Sequence, residues 1–238
     1  MFFFDMWSFF VLLPAMILAM YAQAKVSSNL SRFSQVPTKK GMRGADVAAA
    51  ILADNGIRDV EIERLDANAG DHYDPTHKKI RLSAHVHDAS SVTAVAVAAH
   101  EAGHAIQHNE SYSPLVLRGA VFPIVRLTSG AAIPLIIIGF VLASVATFDG
   151  LSQFAPIIID VGIIFFAVTV VFHLITLPVE FNASRRAAEV LERGRFLTDD
   201  EIRGTKKVLN AAALTYVAAA TVAMMQLLRF ILIRGRSS

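Results

Sequence analysis

Two histidines four residues apart, with a glutamate directly after the first, are the residues of this chain whose types and spacing most directly suggest chemistry: His100-Glu101-Ala102-Gly103-His104. On a helix, four residues turn the chain by about 400°, so both imidazoles emerge within about 40° of each other, one turn apart. Placed so, they can grip one metal ion. Glu101 projects about 100° from His100, close enough to deprotonate water at such a metal without occupying a coordination position. This HExxH pattern also arises by chance, and its neighbours are what give it weight. From Ser91 to His108 the residues are apolar nearly all round (Val92, Val95, Val97, Ala98, Ala99, Ala102, Ile106), the pattern of a buried helix. Two imidazoles and a carboxylate buried there unpaired would cost on the order of several kcal/mol, and a shared metal supplies the pairing. The competing reading, an interfacial helix end whose polar residues face water, does not account for the Val and Ala neighbours.

The chain has no cysteine, so a metal must be held by His, Asp, Glu or Asn. A catalytic zinc takes three protein ligands and keeps one position open. Candidates for the third ligand are Glu180, His173, Asp160, Glu189 and the loop histidines His72, His77, His85 and His87. Glu180 stands out because it follows Pro178 at the end of an apolar stretch, and Ala183 and Ala187 share its face at helical spacing. Such small side chains let one helix approach another closely, as coordination across a helix pair requires. Ser184 is placed to hydrogen-bond a ligand, whereas a bland reading pairs Glu180 with Arg185 or Arg186. His108 lies on roughly the face of His104 and reads as a solvated helix end.

The elements that must position these residues are mostly helical. Of 238 residues 54% are hydrophobic and only 18% charged, a balance that suits a membrane protein. Four stretches reach the roughly 20 apolar residues that a bilayer crossing needs: 2–24, 131–148, 156–177 and 208–233. The first carries a small-residue motif, Ala22-Gln-Ala24, but has no basic region before it, and is expected to stay as an anchor. Polar segments cover 25–114, with HExxH, and 178–207, with Glu180. The fold class expected is thus a mainly α membrane protein, with about four transmembrane helices and a small α+β segment carrying HExxH on a buried helix. The whole chain, 1–238, is expected to form a single membrane domain. Within 25–114, Ala45 to Asn55 reads as a helix closed by Gly56, and Asp59 to Leu65 and Lys79 to Ser83 read as strands. Thr198 to Glu201 is a capping box opening the last helix.

Ten of the 22 basic residues lie in 25–114 and seven in 179–207, which places both polar segments on the cytoplasmic side of the cell membrane. Arg234 and Arg236, on the opposite side after four crossings, run against that bias. A net charge of +2 without a concentrated basic patch excludes a nucleic-acid binder.

The chain resembles the YugP-type neutral zinc metallopeptidases of bacterial membranes. The resemblance rests on the HExxH block, on Asp71-His-Tyr-Asp-Pro75 and Lys79-Ile-Arg-Leu-Ser83, on Leu177-Pro-Val-Glu-Phe-Asn-Ala-Ser-Arg-Arg186, and on Leu209-Asn-Ala-Ala-Ala-Leu-Thr-Tyr216. It implies a gluzincin-like site, one Zn2+ per chain, with Glu180 as third ligand on a separate helix, as in the HtpX-type membrane proteases. Those enzymes carry an Asp four residues after the ligand Glu, where this chain has Ser184. Asn182 stands where an Asp is common in the family and, on a regular helix, points away from the metal.

The chemistry expected is hydrolysis of peptide bonds in a peptide or membrane-protein substrate by zinc-activated water, with Glu101 as general base. Tyr216 leads the candidates for oxyanion donor, ahead of His173 and Arg185. Substrate is expected to add as a strand along Lys79 to Ser83. Two rivals compete. A scaffold with a structural zinc conflicts with an open coordination position, and a transporter using Asp160 and His173 has only those two ionisable groups to build a path from.

Overall fold

In the computed structural model of the chain, which describes residues 6–144, 150 and 152–235, seven α-helices and three short strands are described. They run α1 (Met6–Ser34), α2 (Gly44–Asp54), β1 (Glu61–Leu65), β2 (His72–Asp74), β3 (Lys79–Ser83), α3 (Ala84–His87), α4 (Val92–Asn109), α5 (Ser113–Ser144), α6 (Ala155–Arg193) and α7 (Asp199–Gly235). The protein is mainly α, and α1, α5, α6 and α7 are long and apolar enough to cross a membrane. Residues 2–5 and 145–148 of the expected spans, residues 149 and 151 of the turn between the second and third spans, and Arg236 lie outside the described residues.

The long helices overrun the apolar stretches. At 39 residues α6 measures roughly 58 Å, about twice the 30 Å of a bilayer's hydrocarbon core. Hydropathy marks only the part of a helix that lipid touches. The backbone continues through Pro178 into the polar segment and carries Glu180 on the same helix. In like manner α5 begins at Ser113, well before the apolar stretch 131–148, and α7 begins at Asp199.

The chain divides into two compact units. One comprises Met1–Met20, Leu117–Thr176 and Val217–Ser238. Its helices pack through Ile136, Phe140, Ile159, Phe230 and Ile233, while large apolar side chains such as Leu127, Ile164 and Val141 are exposed, as lipid-facing residues must be. Arg234 donates from Nε to Asp160 Oδ1 at 2.8 Å and from a terminal nitrogen to Oδ2 at 3.2 Å. This bidentate pair tempers the charge that ran against the topology reading.

The other unit comprises Tyr21–Val116 and Leu177–Tyr216. Its core joins α2 (Val47, Ile51), β3 (Ile80, Leu82), α4 (Val95, Ala98, Ala99, Ala102) and the polar-side turns of α6 and α7 (Ala187, Leu191, Val208). Gly56, at φ +68°, follows the end of α2 as its residue type foretells. The sheet has the order β1-β3-β2, with β1 parallel to β3 and β2 antiparallel to it. Ile80 and Leu82 are fully buried, while Lys79 and Arg81 point outward to Glu61 and Glu63 of β1. Because β3 is the central strand, it offers no free edge along its paired length, and beyond it Asp71 accepts the Ser83 N–H at 2.6 Å. The expectation that substrate adds along Lys79 to Ser83 is therefore corrected: β2, a three-residue strand ending at Asp74 just before Pro75, covers this edge.

Candidate metal centre

Helix α4 starts where Ser91 Oγ accepts the Ala94 N–H at 3.2 Å, and its apolar face is buried as the periodicity requires. What brings α6 against it is Gly103, inside the HExxH block. A Cβ built there would lie 2.6 Å from the carbonyl oxygen of Ala183, closer than real contacts allow. With Ala183 and Ala187 on the facing helix, both fully buried, the two backbones meet at the level of the histidines. Glu180 sits one turn before Ala183, and the approach delivers its carboxylate to both rings.

His100 Nε2 lies 3.3 Å and His104 Nε2 3.5 Å from the same oxygen of Glu180, Oε2. The three ligand atoms lie within 4.8 Å of one another. The donor chemistry fits zinc: tetrahedral bonds of about 2.0–2.1 Å place ligand atoms about 3.3 Å apart, close to the 3.3 and 3.5 Å from the Glu180 oxygen to the two rings. The rings meet edge to face, with centroids 4.7 Å apart. Both turn Nε2 toward Glu180, and their Nδ1 atoms find acceptors. With both Nε2 lone pairs kept for a metal, His100 Nδ1–H donates to Ser184 Oγ at 3.2 Å and His104 Nδ1–H to Gln107 Oε1 at 3.0 Å. Acceptors behind the rings set their orientation and raise their basicity as ligands. Burial disfavours a charged His104, but the hydrogen bond to Glu180, the charges of Glu101 and Glu180 and the hydrogen bond to Gln107 together outweigh it and hold the ring's pKa above the ordinary histidine value. The pocket is thus electrostatically built for a cation between two imidazoles and a carboxylate.

Glu101, also buried, points to the sheet, where its Oε2 accepts the backbone N–H of Tyr73 at 2.8 Å. Tyr73 belongs to β2, one of the two outer strands of the sheet. Its phenol, pushed up to about 12 by burial and the nearby carboxylates of Asp59 and Asp74, stays protonated and donates to His108 Nδ1 at 2.7 Å. His108 is therefore engaged rather than solvated.

Five of the other third-ligand candidates have partners of their own, and His173 and His85 are not in the group that could hold a metal. Asp160 pairs with Arg234, Glu189 with Arg185, His77 with Asp74 and His87 with Asp88, and His72 meets the Gly70 carbonyl. Arg186 pairs with Glu110, so neither arginine claims Glu180 in the way the bland reading supposed. Tyr216, on α7, is 36% exposed. Sequence reasoning missed two participants. Gln107, fully buried three residues after His104, was betrayed only by being a polar amide on an apolar helix, and Tyr73 acts through its backbone, which leaves no residue-type signal at all.

A model of the family described as "Putative neutral zinc metallopeptidase" matches residues 8–235 of the chain. A protein of Bacillus subtilis (strain 168) described as "Putative membrane protease YugP" is 46% identical over 224 residues, covering 94% of this chain and 95% of the relative. No solved structure matches.

Proposed function

The chain belongs to this family of neutral zinc metallopeptidases, and from that premise we propose that it is a membrane-embedded zinc endopeptidase, with His100, His104 and Glu180 as ligands and Glu101 as general base. The observation that carries the reading is the convergence of two Nε2 atoms on one Glu180 oxygen at 3.3 and 3.5 Å, with Glu101 on the same buried helix. Zinc held there supplies Lewis acidity, polarising a scissile carbonyl and acidifying water. The Tyr73 N–H fixes one oxygen of Glu101, leaving the other to take a proton from the attacking water and pass it to the leaving amine. Extended peptides of protein substrates suit the site, because β2, the strand that meets Glu101, lies at an edge of the sheet. Tyr216, in the same compact unit as the ligands, is the proposed oxyanion donor. Tyr216→Phe should then lower kcat by about 10²–10³ with zinc binding intact.

The basic residues of 25–114 and 179–207 support a cytoplasmic active site. Since the chain has no cysteine of its own, Asn68→Cys reports the side. In intact cells a membrane-impermeant maleimide should leave it unlabelled until the membrane is opened, and labelling of intact cells would reverse the orientation.

The activity is tested with purified protein in detergent, loaded with zinc and offered fluorescently quenched casein. Wild type should cleave it, and Glu101→Gln should keep its zinc and lose cleavage about 10²–10⁴-fold. A Glu101→Gln protein with bound zinc and full activity would sink the mechanism.

A further inference from the structure

Gln107 is a fully buried amide at the contact of α4 and α6 whose hydrogen bonds define which end is which. One end lies 2.8 Å from the backbone carbonyl of Val179, which can only accept, so that end is Nε2. The same nitrogen donates to Asn182 Oδ1 at 2.9 Å, and Asn182 is itself oriented by Arg186, whose Nε donates to that oxygen at 2.7 Å. Two independent constraints, a carbonyl and an arginine, thus turn Gln107 Oε1 toward His104 Nδ1, 3.0 Å away. An oxygen there requires a proton on Nδ1, which leaves the Nε2 lone pair for the atom that Glu180 also faces.

We propose that Gln107 is a positioning residue of the metal site, fixing the His104 tautomer and tying that ring to the backbone immediately before Glu180. The proposal rests on the assignment of His104 and Glu180 as ligands. Val179 is the residue before Glu180, so one amide spans the second and third ligands and holds them in register across two helices. The chain of bonds continues through Asn182 and Arg186 to Glu110, with Arg186 2.7 Å from the Glu110 carboxylate. Its far end is anchored at a half-exposed ion pair, and the ligand end is dry. This also gives Asn182 a role: it points away from the metal and holds the amide that orients a ligand.

The test uses the full-length protein in detergent and zinc alone as probe, titrated against a fluorescent chelator. Gln107→Leu, which keeps the volume and removes the acceptor, should bind zinc about 10–100-fold more weakly while the metal-free protein stays folded. Gln107→Glu restores an oxygen toward Nδ1 and should recover at least part of that affinity. With nitrogen-15 histidine in zinc-loaded wild type, His104 should show a slowly exchanging Nδ1–H and a metal-bound Nε2. That proton should exchange rapidly in Gln107→Leu. Wild-type zinc affinity in folded Gln107→Leu overturns the proposal, and so does a wild-type spectrum with the metal on Nδ1, which decides the matter even if the leucine variant does not fold. A wild-type protein that takes up no zinc would instead overturn the ligand assignment itself.

Discussion

Replacing Gly103 by alanine puts the account's central geometric idea, two helices in backbone contact at the ligands, under direct strain. The added Cβ would sit 2.6 Å from Ala183 O, 3.2 Å from its carbonyl carbon and 3.3 Å from its Cα, against an ordinary contact that begins at 3.4 Å. Every one of those atoms is backbone, so no side chain can swing away. Helices α4 and α6 must part by about 0.8 Å, the shortfall between 3.4 and 2.6 Å. Overpacking of this kind costs about 1–3 kcal/mol. Zinc ligand distances hold to within about 0.2 Å, so a separation of that size moves Glu180 out of reach of a metal bound to both rings. Chelator competition should show zinc affinity at least about tenfold lower, and the metal-free protein should unfold at a lower temperature. Gly70→Ala serves as control, because a Cβ there meets nothing within 4 Å. Gly103→Ala with the zinc affinity and unfolding temperature of wild type would refute the claim that this close approach positions Glu180.

Other expectations follow from single contacts. Ser184→Ala removes the acceptor behind His100 and should weaken zinc binding by about tenfold in the same competition assay, with helix content unchanged. Ile80→Ala empties a fully buried site between β3 and the helices and should lower unfolding free energy by about 2–5 kcal/mol in a denaturant titration. Asp74 carries a pH signature. The His77 ring beside it, two backbone N–H groups and Arg81 hold its carboxyl well below the usual carboxylate range. A carboxyl depressed on folding contributes stability above its unfolded value near 4, and that contribution fades as pH falls through the folded value. The stability difference between wild type and Asp74→Asn should therefore be full at neutral pH and shrink below about pH 4. A difference independent of pH would show that the charge of Asp74 is not what matters. Finally, stripping zinc with a chelator should lower the unfolding temperature of wild type by more than that of His104→Ala, which has no complete ligand set to lose.

What the sequence made legible follows the range over which each signal acts. The pairing of His100 with His104 is encoded within one turn of helix, and the alternation of Ile80 and Leu82 with charges within one strand, so both could be read directly. Glu180 lies 80 positions from His100 and was reachable through its place after Pro178 and the small residues after it, of which Ala183 turns out to face Gly103. Helix ends were less legible, since α6 and α7 extend through charged residues that hydropathy treats as loop. Strand β2 was invisible because three residues ending in Asp74-Pro75 look like a turn, and its pairing is decided by β3 rather than by its own side chains. From that one omission followed the misplaced substrate edge and the missed partner of Glu101. Gln107 was overlooked because the role proposed for it lies in the direction of its amide, which the carbonyl of Val179 and the side chain of Asn182 determine.

The central claim is that one zinc ion is bound by His100, His104 and Glu180, and diffraction from crystals of the zinc-loaded protein at wavelengths on either side of the zinc absorption edge tests it most directly. The account predicts one anomalous peak per chain, bonded to both Nε2 atoms at about 2.0–2.1 Å and to a Glu180 oxygen at about 2.0–2.2 Å. A peak elsewhere, or one at the histidines with the Glu180 carboxylate beyond bonding distance, would contradict it.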